Sequence, residues 1–128
     1  MYELVQLGEK SYYISSPAKI GVYVAAPDRV YLIDSGSDKD AGRKARQILD
    51  ANNWSLQGIL VTHSNADHIG GCRYLKQQTG CTVFAPGIER AFTEYPILET
   101  AFHYGGCPPS DLRHKFLLAQ DCACADVT

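Results

Sequence analysis

Apolar and polar positions change their rhythm once along this chain. Over residues 2–7, 11–15, 20–25 and 30–33, short segments rich in β-branched and aromatic residues are separated by Gly, Pro, Asp and Lys. This predicts four strands in hairpin or meander order, the last two joined at Pro27-Asp28-Arg29. The period then lengthens. Ala41, Ala45, Ile48 and Leu49 recur at helical intervals up to Asn52-Asn53, and Ser37-Asp38-Lys39-Asp40 has the form of a capping box. A helix over about residues 38–50 follows from those two signals.

A compact apolar run at 58–61 then reads as a buried strand, leading into Thr62-His63-Ser64-Asn65-Ala66-Asp67-His68-Ile69-Gly70-Gly71. A helix over about 69–78, ending near Gly80, comes next. A strand at 82–84, a turn at Pro86-Gly87 and a short helix over 88–95 complete the pattern, and residues 99–109 carry no clear period. A β-rich opening followed by βαβ-like alternation predicts an α/β (α+β) protein with a mixed sheet covered by helices. With 128 residues and no internal repeat or linker, residues 1–128 read as a single domain.

Composition narrows the partners. Twelve Lys and Arg against fourteen Asp and Glu leave a net charge of -2 with no basic stripe, which argues against nucleic acid. The longest nearly apolar stretch, residues 20–27, is too short for a membrane span, and the amino end carries no export signal. The expectation is a cytoplasmic protein whose five cysteines, an odd count, are reduced thiols. Cys122-x-Cys124 with Cys107 lacks the paired C-x-x-C spacing of zinc sites, so plain thiols are expected there too.

The segment after the 58–61 strand carries the candidate chemistry. Two of four histidines and a carboxylate fall within six positions at the carboxyl end of a strand, where ligands of open α/β sheets gather. Imidazole and carboxylate are donors that zinc, iron and manganese accept. Asp67 could instead cap the following helix, with His63 and His68 on the surface. Gly70 and Gly71 read as a close-packing pair rather than a phosphate cradle. Phe92, Tyr95, Phe102 and Tyr104 read as core, and His103 and His114 as structural or solvated.

Strand, Thr-His-x-x-x-Asp-His-x-Gly-Gly, helix, preceded by Leu32-Ile33-Asp34-Ser35-Gly36, resembles the metallo-β-lactamase-fold hydrolases, whose signature is H-x-H-x-D-H. The resemblance covers most of residues 1–85 and implies the amino-terminal half of an αββα sandwich with one or two zinc ions, iron or manganese being alternatives. It implies His63 as a ligand of the first metal and Asp67 and His68 as ligands of the second. Asp34 would support the site from behind its ligands. The chemistry implied is attack by a metal-bound hydroxide, oriented by Asp67 as the catalytic residue, on a small-molecule ester, thioester, lactone, amide or phosphodiester.

Two departures stand out. Asn65 occupies the place of the family's middle histidine, and a neutral amide oxygen is a weaker donor to zinc than imidazole. The Gly-His-Thr segment, bridging Asp and final His of the family's second half have no counterpart here. Two alternatives therefore accompany the hydrolase reading. One is a non-catalytic half-domain that self-associates, as a homo-oligomer, through its uncovered surface; the other is a metal-free binding module on the same fold.

Overall fold

A computed structural model describes residues 1–114 and 122–128. It forms one six-stranded sheet in sequential order, β1 (Glu3–Gln6), β2 (Ser11–Ser15), β3 (Ile20–Ala26), β4 (Arg29–Ile33), β5 (Ser55–Leu60) and β6 (Thr82–Phe84). β1 to β4 are an antiparallel meander, whereas β5 and β6 join in parallel. The parallel pairs need crossovers, and helices supply them. α1 (Lys39–Ala51) links β4 to β5, while α2 (Ala66–Ile69) and α3 (Cys72–Thr79) link β5 to β6. α4 (Glu89–Glu94) and α5 (Ile97–Tyr104) follow. The architecture is the α+β fold with a mixed sheet that the sequence predicts.

Strand alternation decides what lies inside. Ile14, Ile20, Val22, Val30, Leu32, Ile59 and Val83 are at most 1% exposed and meet Ala45 and Leu49 of α1 and Cys72 and Leu75 of α3. Truncating one of the large residues, such as Leu75 to Ala, would cost about 2–5 kcal/mol through lost burial and the cavity left behind. The alternate positions form two rows across the other face, Tyr13, Ile33, Leu60 and Phe84 in one and Tyr23 beside Tyr31 in the next. Tyr23 is 47% and Leu60 44% exposed, so this aromatic and aliphatic face remains partly open.

Local differences from the sequence pattern have physical causes. The α1 cap is Asp38, whose carboxylate accepts from Ala41 N at 2.8 Å, one position later than the Ser37 capping box. β5 begins at Ser55 because Ser55 N donates to Asp28 O at 2.7 Å and extends the pairing backward. The predicted 69–78 helix is two helices, and the first starts at Ala66, so Asp67 and His68 are helical rather than in a loop. α5 is a helix the sequence did not signal.

The break between α2 and α3 falls at Gly70-Gly71, the pair expected to allow close approach. A Cβ at Gly70 would lie 2.1 Å from the Ser37 carbonyl carbon, and one at Gly71 2.3 Å from Ser35 O. Only glycine permits this contact, which presses α2 against the segment following β4 and so fixes Asp34 relative to His68.

Candidate metal centre

Asp34 follows the last residue of β4, and Thr62 and His63 follow β5, so the parallel β4–β5 pair delivers both to one end of the sheet. The backbone at Asp34 is left-handed, with φ of 63°, a region Asp and Asn tolerate better than other side chains. It is held there by bonds on either side, Asp34 N to Leu60 O at 3.0 Å and Ser35 N to His68 O at 2.8 Å. Ser35 Oγ also donates to His68 O and accepts from Gly71 N.

The Asp34 side chain is 7% exposed and fully engaged. Oδ1 accepts from Thr62 N at 2.8 Å; Oδ2 accepts from Thr62 Oγ1 at 2.7 Å and from His68 Nδ1 at 2.8 Å. A carboxylate oxygen of Asp34 and one ring nitrogen each of His63 and His68 lie within 4.8 Å of one another. Three hydrogen bonds use most of the lone pairs of the Asp34 oxygens and tie the carboxylate to Thr62 and His68.

Proton positions follow from that engagement. His68 Nδ1 donates to the carboxylate, so in the neutral ring Nε2 is the lone pair. Thr62 Oγ1 gives its single proton to Asp34, so toward His63 Nδ1, 2.8 Å away, it can only accept. His63 Nδ1 is thus protonated as well, and its Nε2 is also free. One buried carboxylate, directly and through one hydroxyl, orients both imidazoles by their Nδ1 atoms, which leaves ligation through Nε2 open to each.

The rings stand 4.1 Å apart between centroids. Asp67 Oδ2 lies 3.5 Å from His68 Nε2, close enough for one positive charge, a proton or a metal ion, to serve both atoms. This donor set fits a divalent metal: imidazole nitrogens with the outer nitrogen tied to carboxylate or hydroxyl, and an adjoining carboxylate. Asp67 makes no capping bond; the N-cap of α2 is Asn65, whose side chain is exposed and caps nothing either. Asn65 therefore stands beside the cluster with its amide uncommitted.

His103 and His114 are exposed, and neither joins the cluster. Cys72, Cys81 and Cys124 are buried in the core and Cys107 is exposed; all five cysteines are free thiols. Burial pushes the Cys72 thiol far up, which removes it as a nucleophile. Phe92 and Phe102 depart from the expected core packing: Phe102 is 77% exposed, and both line a cavity on the Asn65 side. The sequence reading also passed over Thr62 as the proton relay, Ser35 as the clasp on α2, and Glu89, whose carboxylate accepts from Ser64 N at 2.7 Å. Only Thr62 and Ser35 carried a signal, as the immediate neighbours of His63 and Asp34.

Similarity to known proteins places the chain in a family. A family model described as the metallo-beta-lactamase superfamily matches residues 20–121, and the chain belongs to that family. Solved structures share the fold. The metallo-beta-lactamase BJP-1 of Bradyrhizobium japonicum aligns with a TM-score of 0.69 and 22% identity over 98% of this chain and 44% of its own. The metallo-beta-lactamase SMB-1 bound to 2-mercaptoethanesulfonate aligns with a TM-score of 0.70 and 19% identity, over 98% and 45%.

Curated relatives carry another name. A hydroxyacylglutathione hydrolase of Rhodopseudomonas palustris (strain BisB18) is 44% identical over 77 residues, 54% of this chain and 30% of the relative. One from Bradyrhizobium sp. (strain ORS 278) is 48% identical over 52 residues, 41% and 20%. The chain thus spans less than a third of these relatives and under half of the solved neighbours.

Proposed function

We propose that this chain supplies the metal-binding half of a hydrolytic centre, with His63 serving one cation and Asp67 and His68 a second. The carrying observation is the Asp34–Thr62 network, which accepts from Nδ1 of both rings and so makes Nε2 the lone pair of each neutral imidazole. Zinc is the favoured ion, with iron or manganese as alternatives, because the donors are imidazole nitrogen and carboxylate oxygen. A divalent metal bound by these residues would lower the pKa of its water toward about 7 and supply a nucleophile near neutrality.

The residues do the rest. Asp34 holds the His68 ring, Thr62 holds the His63 ring, and the Asp67 carboxylate, about one-third exposed, orients the attacking water and accepts its hydrogen bond. Asn65, in the histidine position, makes the first cation's share weaker than the second's. The name of the relatives favours an acyl group carried on glutathione over a lactone, amide or phosphodiester as the small-molecule substrate. Five free thiols fit a reducing compartment, and we place the protein in the cytoplasm on that chemistry. Among the described residues no helix is long and apolar enough to cross a membrane.

Metal analysis of the purified chain, with hydrolysis of S-acylglutathione and simple esters, tests the proposal. We expect bound metal, a loss of 10-fold or more in affinity on His68→Ala, and a gain on Asn65→His. Absence of stoichiometric metal, or indifference to His63→Ala with His68→Ala, overturns it.

The open sheet face favours a second reading. Tyr13, Tyr23, Tyr31, Ile33, Leu60 and Phe84 occupy the side that a two-sheet sandwich covers, and a second copy of this single 1–128 domain presents an identical apolar surface to it. In that reading the chain is a self-associating module without catalysis of its own.

A further inference from the structure

Beside the metal cluster lies a second feature that the hydrolytic reading does not use. Ser64 and Asn65 form one wall of a cavity of about 250 Å³, and Glu89 and Phe92 of α4 with Glu99, Phe102 and His103 of α5 form much of the rest. Against the ~30 Å³ that one water occupies in the liquid, this is room for a small organic group. The described lining includes two carboxylates and neither lysine nor arginine.

Glu99 is the anomaly. It is 7% exposed, and its Oε2 is buried with no hydrogen-bond partner among the described residues. A buried carboxylate without a partner is costly, and a protonated one would still leave an O–H unsatisfied. Glu89 cannot relieve it, since its own carboxylate is engaged with Ser64 N and bears the same charge. Burial, with the negative charges of Asp67 and Glu89, pushes the Glu99 carboxyl up to about 7. A positive charge carrying several donors, held against the side of Glu99 that lines the cavity, offsets the carboxylate's charge.

The walls restrict that occupant further. Phe92 and Phe102 meet edge to face at 6.4 Å, and Ile88 adds an aliphatic side. Aromatic faces attract a cation and shelter an alkyl arm. Asn65, with its amide uncommitted, offers a neutral acceptor on the side nearest His63. We infer that this cavity is a binding subsite for a primary ammonium group borne on a short apolar arm, with Glu99 as its anionic anchor. The subsite is argued without any metal, so it stands or falls separately from the hydrolytic reading.

The test is a three-probe titration of the whole chain at pH 8, followed by amide chemical shifts, using n-butylammonium, n-butanol and butyrate. Loss of one charge-assisted hydrogen bond is worth about 10- to 100-fold in affinity. The expected order is butylammonium binding at least 10-fold more tightly than butanol, and butyrate not at all, with shifts confined to α4, α5 and the Ser64-Asn65 segment. Glu99→Gln should abolish the preference for the cation while leaving butanol binding in place. Equal affinity for cation and alcohol, no binding of the cation, or a preference retained in Glu99→Gln would each overturn the inference. Because the probe series on the unaltered chain decides the matter alone, a poorly folding variant leaves the outcome intact. Repeating it with zinc present tells the two proposals apart, since ammonium binding persists whether or not the metal binds.

Discussion

Asp34→Asn is the sharpest perturbation of the candidate centre, because it preserves shape and φ tolerance while reversing the direction of protons. In the native chain Oδ1 must accept from Thr62 N, so the asparagine oxygen takes that place and the amide nitrogen takes the place of Oδ2. That nitrogen can only donate. It donates to His68 Nδ1, which must then lose its proton to Nε2, and to Thr62 Oγ1, whose hydroxyl now turns toward His63 Nδ1. His63 follows, and both imidazoles present N–H where the metal needs a lone pair.

Loss of an outer partner of a ligating histidine typically costs about 10- to 100-fold in metal affinity. Two rings reversed together set an expected loss of about 10²- to 10⁴-fold, the lower figure applying if the rings do not act independently. Folding stability should change by only about 1 kcal/mol, because every bond is replaced, although neutral donors substitute for a charged acceptor. Thr62→Val provides the internal control: it cuts the path to His63 and leaves His68 bonded to Asp34, so it should cost one ring's share. Competition with a chromophoric chelator reads the affinity, and imidazole ¹⁵N shifts in the metal-free chain read the tautomers. Asp34→Asn binding within 3-fold of the native chain, or shifts showing Nδ1–H retained in both rings, would refute the proton assignment.

Two further outcomes concern parts of the molecule away from that network. Glu99 is raised from 4.5 to about 7 in the folded state, so between those values the native chain holds a proton that the unfolded chain has released, and stability falls as pH rises through the window. The conversion sets a ceiling of about 3 kcal/mol, which solvent screening at the open cavity lowers, and Glu99→Gln should therefore match the native chain in urea melts at pH 4.5 and exceed it at pH 8 by less than that ceiling; a pH-independent difference would contradict it. Sedimentation of the chain over a range of concentrations tests the open sheet face: association is expected, with Tyr23→Glu and Leu60→Glu together restoring a monomer, and a monomer at all concentrations rules the self-associating reading out.

The sheet was legible because its residues obey one rule. Val22 beside Tyr23 and Leu32 beside Ile33 alternate between a helix-covered face and an open one, and that period survives any tertiary detail. α5 was illegible for the opposite reason. Its apolar residues Ile97, Leu98 and Phe102 are exposed, while Glu99 and Thr100 are the buried pair, so the helix inverts the pattern by which helices are recognised. The shifted α1 cap and the early start of α2 lie within one to three residues, where competing caps such as Ser37 and Asp38 differ by a single hydrogen bond. That Asp34, His63 and His68 would come together was readable from residue types and spacing. The role of Thr62 was not, since it turns on where one hydroxyl proton points.

That proton also explains why the two halves of the cluster are unequal. Asp34, Thr62, His63 and His68 lie within two successive strand-to-helix crossings, so their bonds close locally and the free Nε2 atoms are arranged by the described residues alone. Asn65 has no such support: it is exposed at the start of α2, its side chain caps nothing, and it lines the Glu99 cavity. A position held by no bond can change its donor without disturbing the fold, whereas Asp34 can change only by reversing both rings. The histidine that the family carries at this point is therefore the ligand this scaffold could give up at least structural cost. Asn65 and Glu99 line the same cavity, so the proposed metal centre and the proposed ammonium subsite share one wall.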